Sequence, residues 1–171
     1  CATYDWVFNY KTARSGDKTV TIRESDIYHC KEVIARMDPL DGDPTDYAVI
    51  RLDRPVTGVA PLKVAARTPS VGTPLVMIGH PSGLPQKIAD GATIKTILSN
   101  GFKANVDAFG GNSGSAVFND RTGEVVGILV NGATDYSLDS GAGCFRAAKL
   151  SQSDGQEGVT GVEQFLPFLK Q

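Results

Sequence analysis

The chain is short of several things, and each shortage removes a class of function. No apolar run approaches the roughly 18 residues that a membrane-spanning helix needs. The opening residues CATYDWVFNY have neither the basic nor the apolar region of a signal peptide. Basic charge is in no excess, since 17 lysines and arginines face 19 aspartates and glutamates for a net charge of -2. A polyanion such as nucleic acid is therefore not an expected partner, and neither is a membrane.

Cysteine is scarce too. Cys1, Cys30 and Cys144 lie far apart, and without a CxxC pair they suggest neither a zinc site nor a redox motif. A disulfide between Cys1 and Cys30 would suit a secreted protein and leave Cys144 over; buried free thiols are the alternative. The acidic turn MDPLDGDPTD raises the question of calcium, but counting from Asp38 or Asp41 no glutamate stands at the twelfth position of an EF-hand loop. It reads as a solvated turn, and no metal or cofactor is expected. Histidine is represented only by His29 and His80.

What is present is the composition of an ordinary globular protein. The chain has 171 residues, 41% of them hydrophobic and 21% charged, enough for one domain or two small subdomains sharing a core. Most regular segments read as strands. KTVTIRESDIYHCKEVIARM alternates in short runs, YAVIRL puts Ala48, Ile50 and Leu52 on one face, and PLVMIGH is a short apolar run ending at glycine. GATIKTIL, GFKANVDA, SGSAVFN and GEVVGILVNG continue the series, separated by the turn sequences SNG and NDRTGE. Only GVEQFLPFLK looks helical. Short strands with Gly, Pro, Asn and Asp between them argue for an all-β antiparallel sandwich or barrel.

One stretch concentrates backbone freedom. In FGGNSGSAVFN, glycines flank Ser113 immediately before an apolar strand. Such glycines let a backbone expose a hydroxyl and turn the N–H groups of Gly111 and Ser113 toward one point, where the oxyanion of a tetrahedral intermediate could be held. A glycine-rich hairpin turn would have the same composition.

The company this motif keeps is informative. DYAVIRLDRPV, VMIGHPSGLPQKIADGA, FKANVDAFGGNSGSAVFN, GEVVGILVNGAT and the C-terminal segment follow one another in a set order. Together they resemble the trypsin-like serine peptidases of the chymotrypsin fold, closest to the bacterial secreted branch with the glutamyl endopeptidases and the HtrA proteases. The resemblance implies a double Greek-key β-barrel with a C-terminal helix, divided as 1–66 for what is present of the N-terminal barrel and 67–171 for the C-terminal barrel. It makes Ser113 the nucleophile, Asp46 the carboxylate that orients an imidazole, and Gly111 with Ser113 the oxyanion donors. Asp43 is the alternative carboxylate, but Asp46 directly precedes the Tyr-Ala-Val-Ile strand. Asn131 and Gly132 would line the substrate cleft. Asp107, six residues before Ser113, would sit on the floor of a pocket for basic side chains, or else be structural in a shorter bacterial loop.

The base that Ser113 needs does not match either histidine. His80 falls in a loop of the second barrel and His29 inside a strand, so both are expected to be structural. In this family the catalytic histidine is commonly followed at once by a cysteine, and this sequence begins with one. The expectation is a histidine just upstream of Cys1, on a preceding segment or another chain, with the first strands of an otherwise incomplete N-terminal barrel. The function expected is a secreted or periplasmic endopeptidase acting on peptides or proteins. The alternatives are an inactive relative that binds peptides or proteins and, less favoured, an esterase; the GNSGS motif and the strand-rich pattern are unlike an α/β-hydrolase.

Overall fold

The computed structural model describes all residues except 2, 15, 39–44, 149–155, 170 and 171. Asp43, the alternative carboxylate, and Asp41 lie outside the described residues.

Eleven strands are formed among the described residues. The first three, β1 (Asp5–Val7), β2 (Ile27–Met37) and β3 (Tyr47–Leu52), make an antiparallel sheet in the order β1-β2-β3. Its register shifts twice between β2 and β3, at Cys30/Glu32 and at Val33/Ala35, and such bulges sharpen the twist of a strand pair. The sequence KTVTIRESDIYHCKEVIARM is strand only from Ile27. Residues 17–23 are irregular and lead into a 3-10 turn at Glu24–Asp26, where the Arg23 side chain bonds Asp26. Cys1 is joined to Cys30 with Cα atoms 4.9 Å apart, so the start of the chain is fastened to β2. Cys144 is free and exposed, not buried.

A second group of strands closes on itself. β4 (Pro74–Gly79), β5 (Lys87–Leu98), β6 (Gly101–Ala104), β7 (Ala116–Asn119), β8 (Val125–Asn131) and β11 (Glu157–Gly161) form a barrel in the order β11-β6-β5-β4-β7-β8. β9 (Tyr136–Asp139) and β10 (Cys144–Ala147) form a separate hairpin. Closure removes open edges, and period-two alternation fills the interior: Leu75 and Met77 from β4, Ala92 and Ile94 from β5, Phe102 and Ala104 from β6, Val117 from β7 and Val159 from β11 are all buried. Glycines permit the closest approaches. At Gly101 and Gly127 a Cβ would collide with the backbone oxygens of β11, Val159 O and Thr160 O. The fold is the all-β, barrel-based one that the turn-punctuated strands imply.

The C-terminal segment takes the form of two 3-10 turns, Val162–Gln164 and Leu166–Phe168, instead of one continuous α-helix. Pro167 has no N–H to donate within a helix, and Phe165 between the turns has φ -120°. These turns still do what a helix would do here. Phe165 and Phe168 pack on Tyr47 of β3 with ring centroids 6.4 and 6.2 Å away, so the core runs from the barrel into the first sheet and fixes the start of β3, next to Asp46. Among the described residues no helix is long and apolar enough to cross a membrane.

Candidate active site

After β6 the chain leaves the barrel. Asn105, buried, accepts a hydrogen bond from the Thr93 N–H at 2.8 Å, and residues 105–115 then form a loop that returns as β7. Two short turns shape it, with the Asn112 N–H bonded to Phe109 O at 3.0 Å and the Ser115 N–H to Asn112 O at 2.8 Å. Gly111 and Gly114 have φ of +92° and +87°, the left-handed region where a side chain is strained. The Asn112 side chain is only 1% exposed, and Gly79 of β4 makes room for it, because a Cβ there would overlap Asn112 and Ser115.

The loop is pinned from both sides. On β8, Leu129 accepts from the Gly114 N–H at 2.8 Å and its own N–H donates to Ser115 O at 3.0 Å. On the other side the Gly110 N–H donates to the Asp135 carboxylate at 2.5 Å, while the Gly110 carbonyl accepts from the Ser82 N–H at 2.6 Å. The hydroxyls of Ser82 and Tyr136 are 2.6 Å apart, and Tyr136 packs against Phe109. Both peptides flanking Gly110 are thereby held. Since a trans peptide sets N–H opposite C=O, the Gly111 N–H points away from the Ser82 turn. Among the described residues, the N–H groups of Gly111 and Ser113 bond to no acceptor.

Ser113 is exposed, and its hydroxyl donates to the carbonyl of Val130 at 2.9 Å. Asp46 is half-buried. Its backbone N–H reaches the hydroxyl of Thr160 at 3.4 Å, and its carboxylate accepts no hydrogen bond among the described residues. Thr160 of β11 pairs with Ile128 of β8, two residues before Val130. Asp46 and Ser113 are thus both tied to the β8–β11 pair, Asp46 through β11 and Ser113 through β8.

The remaining residues cluster at the end of β8. Asn131 is exposed and pairs with Gly158, where a Cβ would overlap the Asn131 amide. Gly132 lies under the carboxylate of Glu157, and Asp107 is exposed. Glu157 also lies here, and the sequence pattern did not single it out. It is 6% exposed and takes the Ala133 N–H on Oε1 at 3.4 Å. Burial pushes its carboxyl above the ordinary value, against the Ala133 bond, and the charges of Asp135 and Asp107 push the same way. The signal was there: with Val159 inward, period two puts Glu157 inward as well.

Both histidines have other partners. His29 Nδ1 lies 2.7 Å from Asp5 Oδ1 across the β1–β2 pair. His80 lies 3.1 Å from Leu84 O through Nδ1 and stacks on Tyr10. Neither bonds Asp46 or Ser113.

Residues 8–128, most of the chain, match the family of trypsin-like peptidase domains. The chain belongs to that family. Among solved structures, this trypsin-like domain is similar in fold to the Rv3671c protease of M. tuberculosis. The active form is 20% identical, with a TM-score of 0.52 over 74% of this chain and 54% of that one. An inactive form is 17% identical, with a TM-score of 0.51 over 84% and 67%. A mutant in the inactive form is 17% identical, with a TM-score of 0.54 over 86% and 66%. The trypsin-like domain thus spans between about half and two thirds of those chains. No curated protein sequence matches it.

Proposed function

We infer that this trypsin-like domain belongs to a serine endopeptidase that cleaves peptide bonds through an acyl-enzyme on Ser113. The observation that carries this reading is the loop itself: an exposed hydroxyl between two left-handed glycines, with the N–H groups of Gly111 and Ser113 unengaged among the described residues. In the reaction, Ser113 Oγ attacks the scissile carbonyl carbon as its proton passes to an imidazole. The two N–H groups receive the oxyanion, and the imidazolium returns the proton to the leaving amine as the C–N bond breaks. Water then repeats the sequence on the ester and frees Ser113. Asp46 orients the imidazole, which comes from a histidine outside these 171 residues, on an upstream segment or another chain that also extends the three-stranded sheet. The Cys1–Cys30 disulfide favours an oxidising compartment, so the protein works secreted or in a periplasm.

The test is active-site labelling of the full-length protein with a neutral phosphonofluoridate, followed by peptide mapping. Label on Ser113, and a loss of peptide turnover on the order of 10⁴-fold in Ser113→Ala, is expected. Label elsewhere, or activity retained by Ser113→Ala, overturns the assignment. One observation favours a second reading, a non-catalytic binding module: the Ser113 hydroxyl rests on Val130 O and not on a base. No label at all on the full-length protein would decide for that module.

A further inference from the structure

Residues 8–11 pass between the first sheet and the barrel, and one residue sets their course. Asn9 has φ +61°, left-handed backbone that asparagine adopts more readily than most side chains. Its side-chain amide donates to Asp26 Oδ1 at 3.1 Å, and the Phe8 N–H donates to Asp26 O at 2.8 Å, so the bend is fixed against the 3-10 turn before β2. The rings on either side of the bend go to different units. Phe8 meets Tyr28 of β2 edge-on with centroids 5.0 Å apart, while Tyr10 stacks on His80, just past the end of β4, at 5.5 Å.

Tyr10 grips residues 80–86 in two further ways. Its hydroxyl donates to Gly83 O at 3.0 Å, and its carbonyl accepts the Gln86 N–H at 2.9 Å. With the stack on His80, these contacts lie on both sides of Ser82. The turn closes on itself through the Gly83 N–H on His80 O and the Leu84 N–H on Pro81 O, and Ser82 sits inside it at φ +51°. A serine keeps such a conformation only where its surroundings impose it. Here the turn holds the serine loop. The Ser82 N–H donates to the Gly110 carbonyl at 2.6 Å, and a Cβ on Gly111 would come within 3.1 Å of Ser82 N. The Gly110 carbonyl and the Gly111 N–H belong to one planar peptide, so fixing the first aims the second.

We propose that Tyr10 is a positioning residue for the Gly110–Gly111 peptide: clasping the turn through His80 and Gly83, it keeps Ser82 on the Gly110 carbonyl and the Gly111 N–H turned out for the oxyanion. Its bearing on catalysis rests on Gly111 and Ser113 acting as in the reaction above, but one readout is independent of that reaction. Two variants of the full-length protein are compared with the wild type. Tyr10→Phe loses the hydroxyl bond, Tyr10→Leu loses the ring stack as well, and both keep the carbonyl that takes Gln86. A neutral hydrogen bond or a ring contact is each worth a factor of roughly two to ten. Amide exchange at Ser82, followed by NMR, should therefore be about threefold faster in Tyr10→Phe and about tenfold faster in Tyr10→Leu. Exchange at Ile94, whose N–H bonds Thr73 O at the opposite end of β4, should not change. Phosphonylation of Ser113 should slow in the same order, and kcat for a peptide should fall with it while KM stays within about twofold, because the oxyanion forms only after binding. Unchanged exchange at Ser82, or an equal rise at Ile94, would reduce Tyr10 to general stability and overturn the proposal. Faster exchange at Ser82 with undiminished phosphonylation overturns it too, and leaves the acyl-enzyme in place. If Ser82 exchange follows Tyr10 while the wild type takes no label on Ser113, the hold on the Gly110–Gly111 peptide stands and the acyl-enzyme falls.

Discussion

Asp135 offers the sharpest perturbation of the Ser113 loop without touching it. Its carboxylate takes the Gly110 N–H at 2.5 Å, while the Gly110 carbonyl is held separately by Ser82 at 2.6 Å. Asp135→Ala removes the first restraint and leaves the second, so the loop is loosened at one end. A hydrogen bond to a charged acceptor contributes about 1.5–3 kcal/mol, and the partial exposure of Asp135 puts this one near the lower figure. Because about 1.4 kcal/mol is tenfold, the population with the Phe109–Gly110 peptide held should fall by roughly tenfold, and the Gly111 N–H, on the neighbouring peptide that Ser82 still holds, loses part of its positioning with it. Complete loss of an oxyanion donor, roughly 10²- to 10³-fold, is the ceiling. The assay is the second-order rate of Ser113 phosphonylation in the full-length protein, with a thermal melt to check folding. Asp135→Asn keeps an acceptor and should slow labelling by less than about threefold, a smaller loss than alanine causes. An unchanged rate in Asp135→Ala would refute the restraint, and equal losses in the two variants would show that the charge acts and not the hydrogen bond.

Two further outcomes concern stability. Burial, with Asp135 and Asp107 nearby, raises the Glu157 carboxyl above its unfolded value, so the folded state holds this proton more tightly. Its contribution is therefore lost as pH rises from the ordinary carboxylate value of about 4.3 through the folded one. In urea titrations Glu157→Gln should gain on the wild type as pH rises across that window; a difference independent of pH would contradict the burial argument. Reducing the Cys1–Cys30 disulfide, which spans a sequence separation of 29, should lower unfolding free energy by about 3–4 kcal/mol on chain entropy. A urea midpoint that does not move with reductant would mean that the disulfide adds nothing to the stability of the first sheet.

The strand segments, their turn chemistry and the serine loop were legible in the sequence because each is a local property. β4 alternates, Asn119 and Gly123 close the β7–β8 turn by bonding to each other, and the glycines around Ser113 mark left-handed backbone by their residue type alone. Local patterns also misled. Residues 18–23 alternate as a strand would but pair with no strand among the described residues, and pairing, not alternation, makes a strand. GVEQFLPFLK has the spacing of a helix, yet Pro167 turns it into two 3-10 turns.

Which residues meet was decided only by the tertiary structure. Nothing near Asp46 in the chain says that its N–H meets Thr160, and nothing near Gly110 says that Asp135 and Ser82 grip it from two sides. The same holds for Glu157, which in sequence is one more charged residue in a polar stretch. Barrel closure brings β11 against β8 and sets its carboxylate on Gly132. By itself, then, the sequence determined the kinds of element and the backbone form of the serine loop, because backbone preference and side-chain period act over a few residues. Burial and the pairing of distant groups depend on which strands become neighbours, and those neighbours exist only once the barrel has closed.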